Sequence, residues 1–238
     1  MNIAVIFAGG TGQRMKAKTK PKQFLELHGK PILVYTIEHF QRHKAIDGVV
    51  LVILESWIEY CQELIETFRL TKVKAVVKGG ATGQESIYNG LSEVERLYGK
   101  ENVTVLIHDG VRPLIDEQTI TNALDCVKLH GNAITVTSAI ETVSMTDENG
   151  KIVNIMERSQ CFMARAPQCF RLSELIDSHR KAIEEKKEFI DSASMMRYYG
   201  YELYTVEGAI ENIKITTPSD FYIFRAIVDA REGSQIFG

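Results

Sequence analysis

Ile3-Ala4-Val5-Ile6-Phe7 empties straight into Ala8-Gly9-Gly10-Thr11-Gly12-Gln13-Arg14-Met15. An apolar run followed by a glycine-rich turn reads as a buried strand delivering a loop to a sheet edge. Gly9, Gly10 and Gly12 let the backbone approach a ligand closely and adopt positive φ. Amide N–H groups in such a turn can point at phosphate oxygens. Arg14, Lys16, Lys18, Lys20 and Lys22 follow within ten residues, so the natural guest is a polyphosphate. No glycine here precedes Lys-Ser or Lys-Thr, which excludes the P-loop. Met15 stands where a dinucleotide fingerprint needs its third glycine. The competing reading is a basic surface loop; Arg14 and Pro21-Lys22 at this spacing favour the nucleotide.

Along the rest of the chain, β-branched runs alternate with helical patterns. Residues 3–7, 49–54, 73–77, 103–107 and 133–138 read as strands, and 32–42, 57–68, 85–97 and 116–129 as helices. In the last of these, Ile120, Ala123, Leu124 and Val127 share one face. The alternation predicts a single α/β domain over residues 1–238, with a Rossmann-like, mostly parallel sheet and helices on both faces. Ligands in such sheets sit beyond the carboxyl ends of the strands. The glycine-rich loop and His108-Asp109 are therefore expected on one rim.

Residues 139–160 break the rhythm. Thr142–Met145 and Ile152–Ile155 flank Asn149-Gly150, a strong turn signal. They predict a β-hairpin arm protruding from the sheet. A lone hairpin is marginal in water, so a second copy of the chain is expected to cover it. Thr217-Pro218-Ser219-Asp220 reads as a helix start, Thr at the N-cap and Pro at the first helical position. The tail beyond Ala230 is expected to fray. The net charge of −3 leaves no global basic field for nucleic acid. No run of 18 apolar residues suggests a membrane span, and Met1-Asn2 shows no signal-peptide pattern. Cys61, Cys126, Cys161 and Cys169 lack metal-ligand spacing; four reduced thiols point to a cytoplasmic protein.

Taken in order, Ala8–Met15, Pro21-Lys22-Gln23-Phe24-Leu25, Gly79-Gly80…Ser86, His108–Pro113, Arg158, Ala166-Pro167-Gln168 and Asn212–Thr216 resemble the cytidylyltransferases that make CDP-alcohols from CTP and a polyol phosphate. The resemblance spans almost the whole chain. It implies Arg14 and Lys22 on the triphosphate and Lys214 on the α-phosphate. Ala8, Gly9, Gly10, Thr11, Gly12, Gly79, Gly80 and Ser86 would surround CTP, the last three lining the cytosine pocket. Asp109 would face the ribose and a Mg²⁺ ion. Arg112, Thr142, Arg158 and Ile190 would serve the acceptor, with Thr142 and Arg158 presented by the arm across a homodimer interface.

Two branches of that family fit, one acting on ribitol 5-phosphate for teichoic acid or capsule, the other on 2-C-methyl-D-erythritol 4-phosphate for isoprenoid precursors. Ala166 and Ile190 stand where the family usually has Thr, and Ala81 where Asp is common. Both lost hydroxyls lie on the acceptor side. The Gly-Gly-Thr-Gly loop, the eight-residue step from Arg14 to Lys22, Val111 and Trp57 resemble the ribitol-phosphate branch more closely. Bland alternatives accompany each residue. Asp109 can merely cap Arg112, Lys214 can be an edge-strand gatekeeper, and Arg158 can be a solvated arm residue. Trp57 reads as a packing anchor and His108 as a shaper of its loop. A nucleotide-binding regulator without turnover is the alternative class; three expected cations argue against it.

Overall fold

The computed structural model describes residues 1–9 and 20–237, with side chains as far as Gly233. Gly10, Thr11, Gly12 and Arg14 lie outside the described residues. In chain order the elements are β1 (Asn2–Ala8), β2 (Glu26–Leu27), β3 (Lys30–Pro31), α1 (Ile32–Arg42), β4 (Gly48–Ile53), α2 (Ile58–Thr67), β5 (Val73–Lys78), α3 (Gly83–Tyr98), β6 (Thr104–Asp109), α4 (Glu117–His130) and β7 (Asn132–Ser138). They continue with β8 (Ser144–Thr146), β9 (Ile152–Ile155), β10 (Phe162–Arg171), α5 (Leu172–Glu184), α6 (Ser192–Tyr198), β11 (Thr205–Glu207) and α7 (Pro218–Phe237).

Among the described residues seven strands form the main sheet, in the order β11-β7-β10-β6-β1-β4-β5. Only β10 runs antiparallel to its neighbours. From β1 the chain moves out through β4 and β5 on one side and begins the other side with β6. That reversal opens a crevice at the carboxyl ends of β1 and β6, where Phe7 pairs with Asp109.

Alternation along β1 builds two cores. Ala4, Ile6 and Ala8 face a cluster completed by α1, α2 and α4. Ile3 and Val5 face one completed by α3, α5 and α6. Each fully buried Ile or Val contributes roughly 1.5–3 kcal/mol relative to exposure, which fixes the register of this strand. Helix α3 lies close on the sheet: a Cβ at Gly90 would come within 2.5 Å of Val5 Cγ1 and 2.7 Å of Val52 Cγ2. A third cluster joins Val111 and Ile215 to Phe224 and Val228 of α7, so the C-terminal helix clamps the loops around the crevice.

Several boundaries differ from the sequence expectations. His108 and Asp109 are the last residues of β6 and do not lie in the loop after it. Helix α2 is preceded by a 3₁₀ turn at Glu55–Trp57. The first arm strand starts at Ser144, leaving Thr142 outside it. The tail beyond Ala230 continues α7 to Phe237, against the expected fraying. Central strand β10 was not anticipated, because Pro within a run argues for an edge. Here the pairing with β7 is irregular between Ala164 and Gln168, around Pro167.

The arm is an antiparallel β8–β9 hairpin off the main sheet. Its turn is tied by Asp147, whose Oδ1 accepts from the amides of Asn149 and Lys151, with Gly150 at φ 80°. Ile152, Val153 and Ile155 are each more than half exposed.

Candidate active site

Beyond β1 and β5 a cavity of about 390 Å³ is lined by Ala8, Gly9, Lys22, Gly80, Ser86, Asp109 and Lys214. Its floor is set by Ser86. The Ser86 hydroxyl donates to the Thr82 carbonyl at 2.8 Å and accepts from the Gly80 amide at 3.0 Å. Thr82 N-caps α3, accepting from the Glu85 amide, while Glu85 accepts from the amide of Ala81. This is a capping box shifted by one residue. It packs Glu85 where a side chain at Gly80 would sit: a Cβ there would come within 2.3 Å of Glu85 Cγ. At Gly79 a Cβ would meet Ser86 Oγ at 3.1 Å. Glycine at 80 is therefore demanded by packing and lines this wall with its backbone, whereas Gly79, crowded by Ser86, is not among the lining residues.

On the opposite wall, Gln23 is buried and donates through Nε2 to the Ala8 carbonyl at 2.6 Å. That bond ties the end of β1 to the 3₁₀ turn carrying Lys22. Phe24 anchors the same turn, stacked on Trp57 at 4.8 Å between centroids. Trp57 is thus a packing anchor, as expected.

Asp109 is the electrostatic centre. Its Oδ2 accepts from Arg112 Nε at 2.8 Å and its Oδ1 pairs with Lys214 Nζ at 2.6 Å. Burial alone would raise its pKa; the two cations outweigh it and hold the carboxyl below the usual range. The capping reading of Asp109 is therefore correct but incomplete. Arg112 Nη1 also donates to the Asn212 carbonyl, and the Ile215 amide to Val111, so the 212–216 segment is sewn to this loop. Lys214 lies on no strand, which removes the edge-strand reading.

A second cavity, of about 470 Å³, adjoins the first and shares Asp109 and Lys214 with it. Arg112, Arg165, Ala166, Gln168, Ile190 and Asp191 line it. Gln168 donates to Asp191 Oδ2 and accepts from the Ala193 amide, and Asp191 N-caps α6. These bonds hold Ile190, 94% exposed, at the cavity mouth. Thr142 and Arg158 are exposed and line neither cavity of their own chain. Arg165, Gln23 and Thr82 escaped the sequence reading. Gln23 lay inside a quoted motif, but the facing of Arg165 depends on β10.

From the end of β6, His108 braces the loop that follows, the shaping role expected of it: Nε2 donates to the Arg112 carbonyl at 3.2 Å, leaving Nδ1 buried without a partner. Burial pushes its pKa down to about 3, and that of His179, buried on α5, down to about 4. Both are neutral in the folded state and titrate near 6.5 when unfolded. The unfolded chain therefore binds more protons below that pH, and stability present at pH 7 is lost as pH falls from about 6.5 toward 4. Each histidine accounts for about 2 kcal/mol of loss by pH 5. His179→Leu should flatten the fall in melting temperature between pH 7 and 5; an unchanged slope would count against this assignment.

The family profile of the 2-C-methyl-D-erythritol 4-phosphate cytidylyltransferases (IspD) matches residues 2–230. A ribitol-5-phosphate cytidylyltransferase of Streptococcus agalactiae serotype Ia is 53% identical over 239 residues, covering all of both chains. A 2-C-methyl-D-erythritol 4-phosphate cytidylyltransferase of Clostridium botulinum is 37% identical, covering 96% of this chain and 97% of that one. In fold, the crystal structure of 4-diphosphocytidyl-2C-methyl-D-erythritol synthase from Anaerococcus prevotii superposes with a TM-score of 0.82 at 24% identity, covering 96% of each chain. Matched in this way over nearly its whole length, the chain belongs to the IspD cytidylyltransferase family and is a nucleotidyltransferase.

Proposed function

We propose that the protein transfers CMP from CTP to ribitol 5-phosphate or a similar linear pentitol phosphate. The observation that carries this is the pair of adjoining cavities meeting at Asp109 and Lys214. A nucleotide in the first and an alcohol phosphate in the second bring the two reacting phosphates to that junction. An oxygen of the acceptor phosphate attacks the α-phosphorus. A new P–O bond forms, the bond to the β-bridging oxygen breaks, and pyrophosphate leaves with the electron pair. The nucleophile is already an anion at pH 7, so no general base is needed. Catalysis rests on positioning and charge stabilisation, assigned to Lys22 and Lys214, with Arg14 from the glycine-rich loop. The 53% identity to a ribitol-5-phosphate enzyme against 37% to a methylerythritol-phosphate enzyme supports this acceptor.

Mg²⁺ accompanies the nucleotide in this proposal. Among the described residues Asp109 is the one carboxylate lining the first cavity. Mg²⁺ commonly takes one or two carboxylates together with substrate phosphates, so the donor set fits and Asp109 would hold it. The ion supplies positive charge to the triphosphate. Incubation with each NTP, Mg²⁺ and a panel of alcohol phosphates tests the reading. Pyrophosphate release should require CTP and a polyol phosphate; equal release from all four NTPs would refute the pyrimidine assignment.

We also infer a homodimer held by residues 139–160, working in the cytoplasm. The exposed Ile152, Val153 and Ile155 need cover, and a two-stranded hairpin has little stability alone. The four thiols are free, and no described helix is long and apolar enough to cross a membrane. Arg158 and Thr142, absent from the lining of their own chain's cavities, would then act in the partner's site. Mixed Arg158→Ala and Lys22→Ala subunits should regain activity on exchange. A monomer by light scattering, or no rescue, would overturn the arrangement.

A further inference from the structure

We infer that Arg165 forms the anion subsite that seats the acceptor's phosphate, the group that makes the attack. This deepens the cytidylyl-transfer proposal and rests on it. Arg165 lies on β10 within the irregular stretch between Ala164 and Gln168 and lines the acceptor-side cavity together with Arg112 and Lys214. Of these three cations, Arg112 and Lys214 are both committed to Asp109. The other carboxylate lining this cavity, Asp191, is occupied by the Gln168 amide and by the backbone at the start of α6. Arg165 is half-buried, and among the described residues its guanidinium has one partner, the hydroxyl of Thr137, reached by Nε at 3.2 Å.

The Thr137 bond orients the guanidinium and leaves its two terminal nitrogens for a ligand. A half-buried guanidinium without an anion is costly. Burial and the neighbouring Arg112 charge both push its pKa below the ordinary arginine value, so a dianion placed between the two cations relieves both penalties. A planar fork with paired N–H donors suits a phosphate better than a point charge does. Because Arg165 lines the acceptor-side cavity and not the nucleotide-side one, the phosphate it serves is the acceptor's.

The test compares wild type with Arg165→Ala and Arg165→Lys. For Arg165→Ala, kcat/KM for ribitol 5-phosphate should fall about 10–100-fold, the scale for losing hydrogen bonds to a charged group. KM for CTP should stay within about twofold, and Arg165→Lys should recover part of the loss. An unchanged acceptor kcat/KM, or a parallel rise in KM for CTP, would overturn the subsite. If wild type turns over no alcohol phosphate, the proposed reaction fails instead. Inorganic phosphate then decides on Arg165 without turnover. With CTP saturating and Mg²⁺ omitted, phosphate should raise the melting temperature of wild type and not of Arg165→Ala; equal shifts would dismiss the subsite.

Discussion

Lys214→Ala is expected to lower kcat by about 10²–10³, the scale for losing one electrostatic stabiliser aimed at developing charge. Lys22→Ala should lose a similar factor. Lys214 sits where the two cavities meet and pairs with Asp109 at 2.6 Å. Its side chain is 41% exposed, so its removal should leave the fold intact. Melting temperature and far-UV circular dichroism check that, and steady-state kinetics in CTP and acceptor read the loss. Near-wild-type turnover in either variant would remove that lysine from the site. Asp109→Asn differs in kind, because it unpairs a buried arginine as well as the lysine. It should weaken nucleotide binding and shift the Mg²⁺ requirement. If neither changes, Asp109 serves only to fix Arg112 and Lys214.

The second large effect is on acceptor choice. The kcat/KM for ribitol 5-phosphate should exceed that for 2-C-methyl-D-erythritol 4-phosphate by about 10² or more. A site that hydrogen-bonds a substrate hydroxyl discriminates by 10⁴–10⁵, whereas an apolar pocket manages only about 10–200-fold. Ala166 and Ile190 offer no side-chain hydroxyl to the acceptor cavity, and both line it. Ala166 is buried, its carbonyl held by Asn212 Nδ2, while Ile190 projects at the mouth. A linear polyol has hydroxyls elsewhere along its length for other partners, so the loss falls mainly on the branched acceptor. Ala166→Thr combined with Ile190→Thr should narrow the gap. A wild type that prefers methylerythritol 4-phosphate would reverse the ranking of acceptors and leave the cytidylyl transfer standing.

Much was written locally. The alternation of apolar runs gave β1, β4, β5, β6 and β7 within a residue or two: β1, β4, β6 and β7 are mostly buried, where little else is tolerated, and the partly exposed edge strand β5 still carries three valines. Gly79-Gly80…Ser86 stood out as small residues, and what holds the glycines small is the close approach of Glu85 and Ser86. The Asn149-Gly150 turn announced the arm. Only the tertiary structure decided which of these local pieces meet. Lys214 lies 105 residues after Asp109, and nothing in either neighbourhood states that they pair. Strand β10 was hidden by Pro167, since a central strand loses a backbone donor there and no short-range signal reveals that an irregularity absorbs it. With β10 unread, the facing of Arg165 was unreadable too. Periodicity reports which face of an element is apolar; it does not say which charges the packed sheet brings together, because that depends on strand order and register between segments distant in the chain.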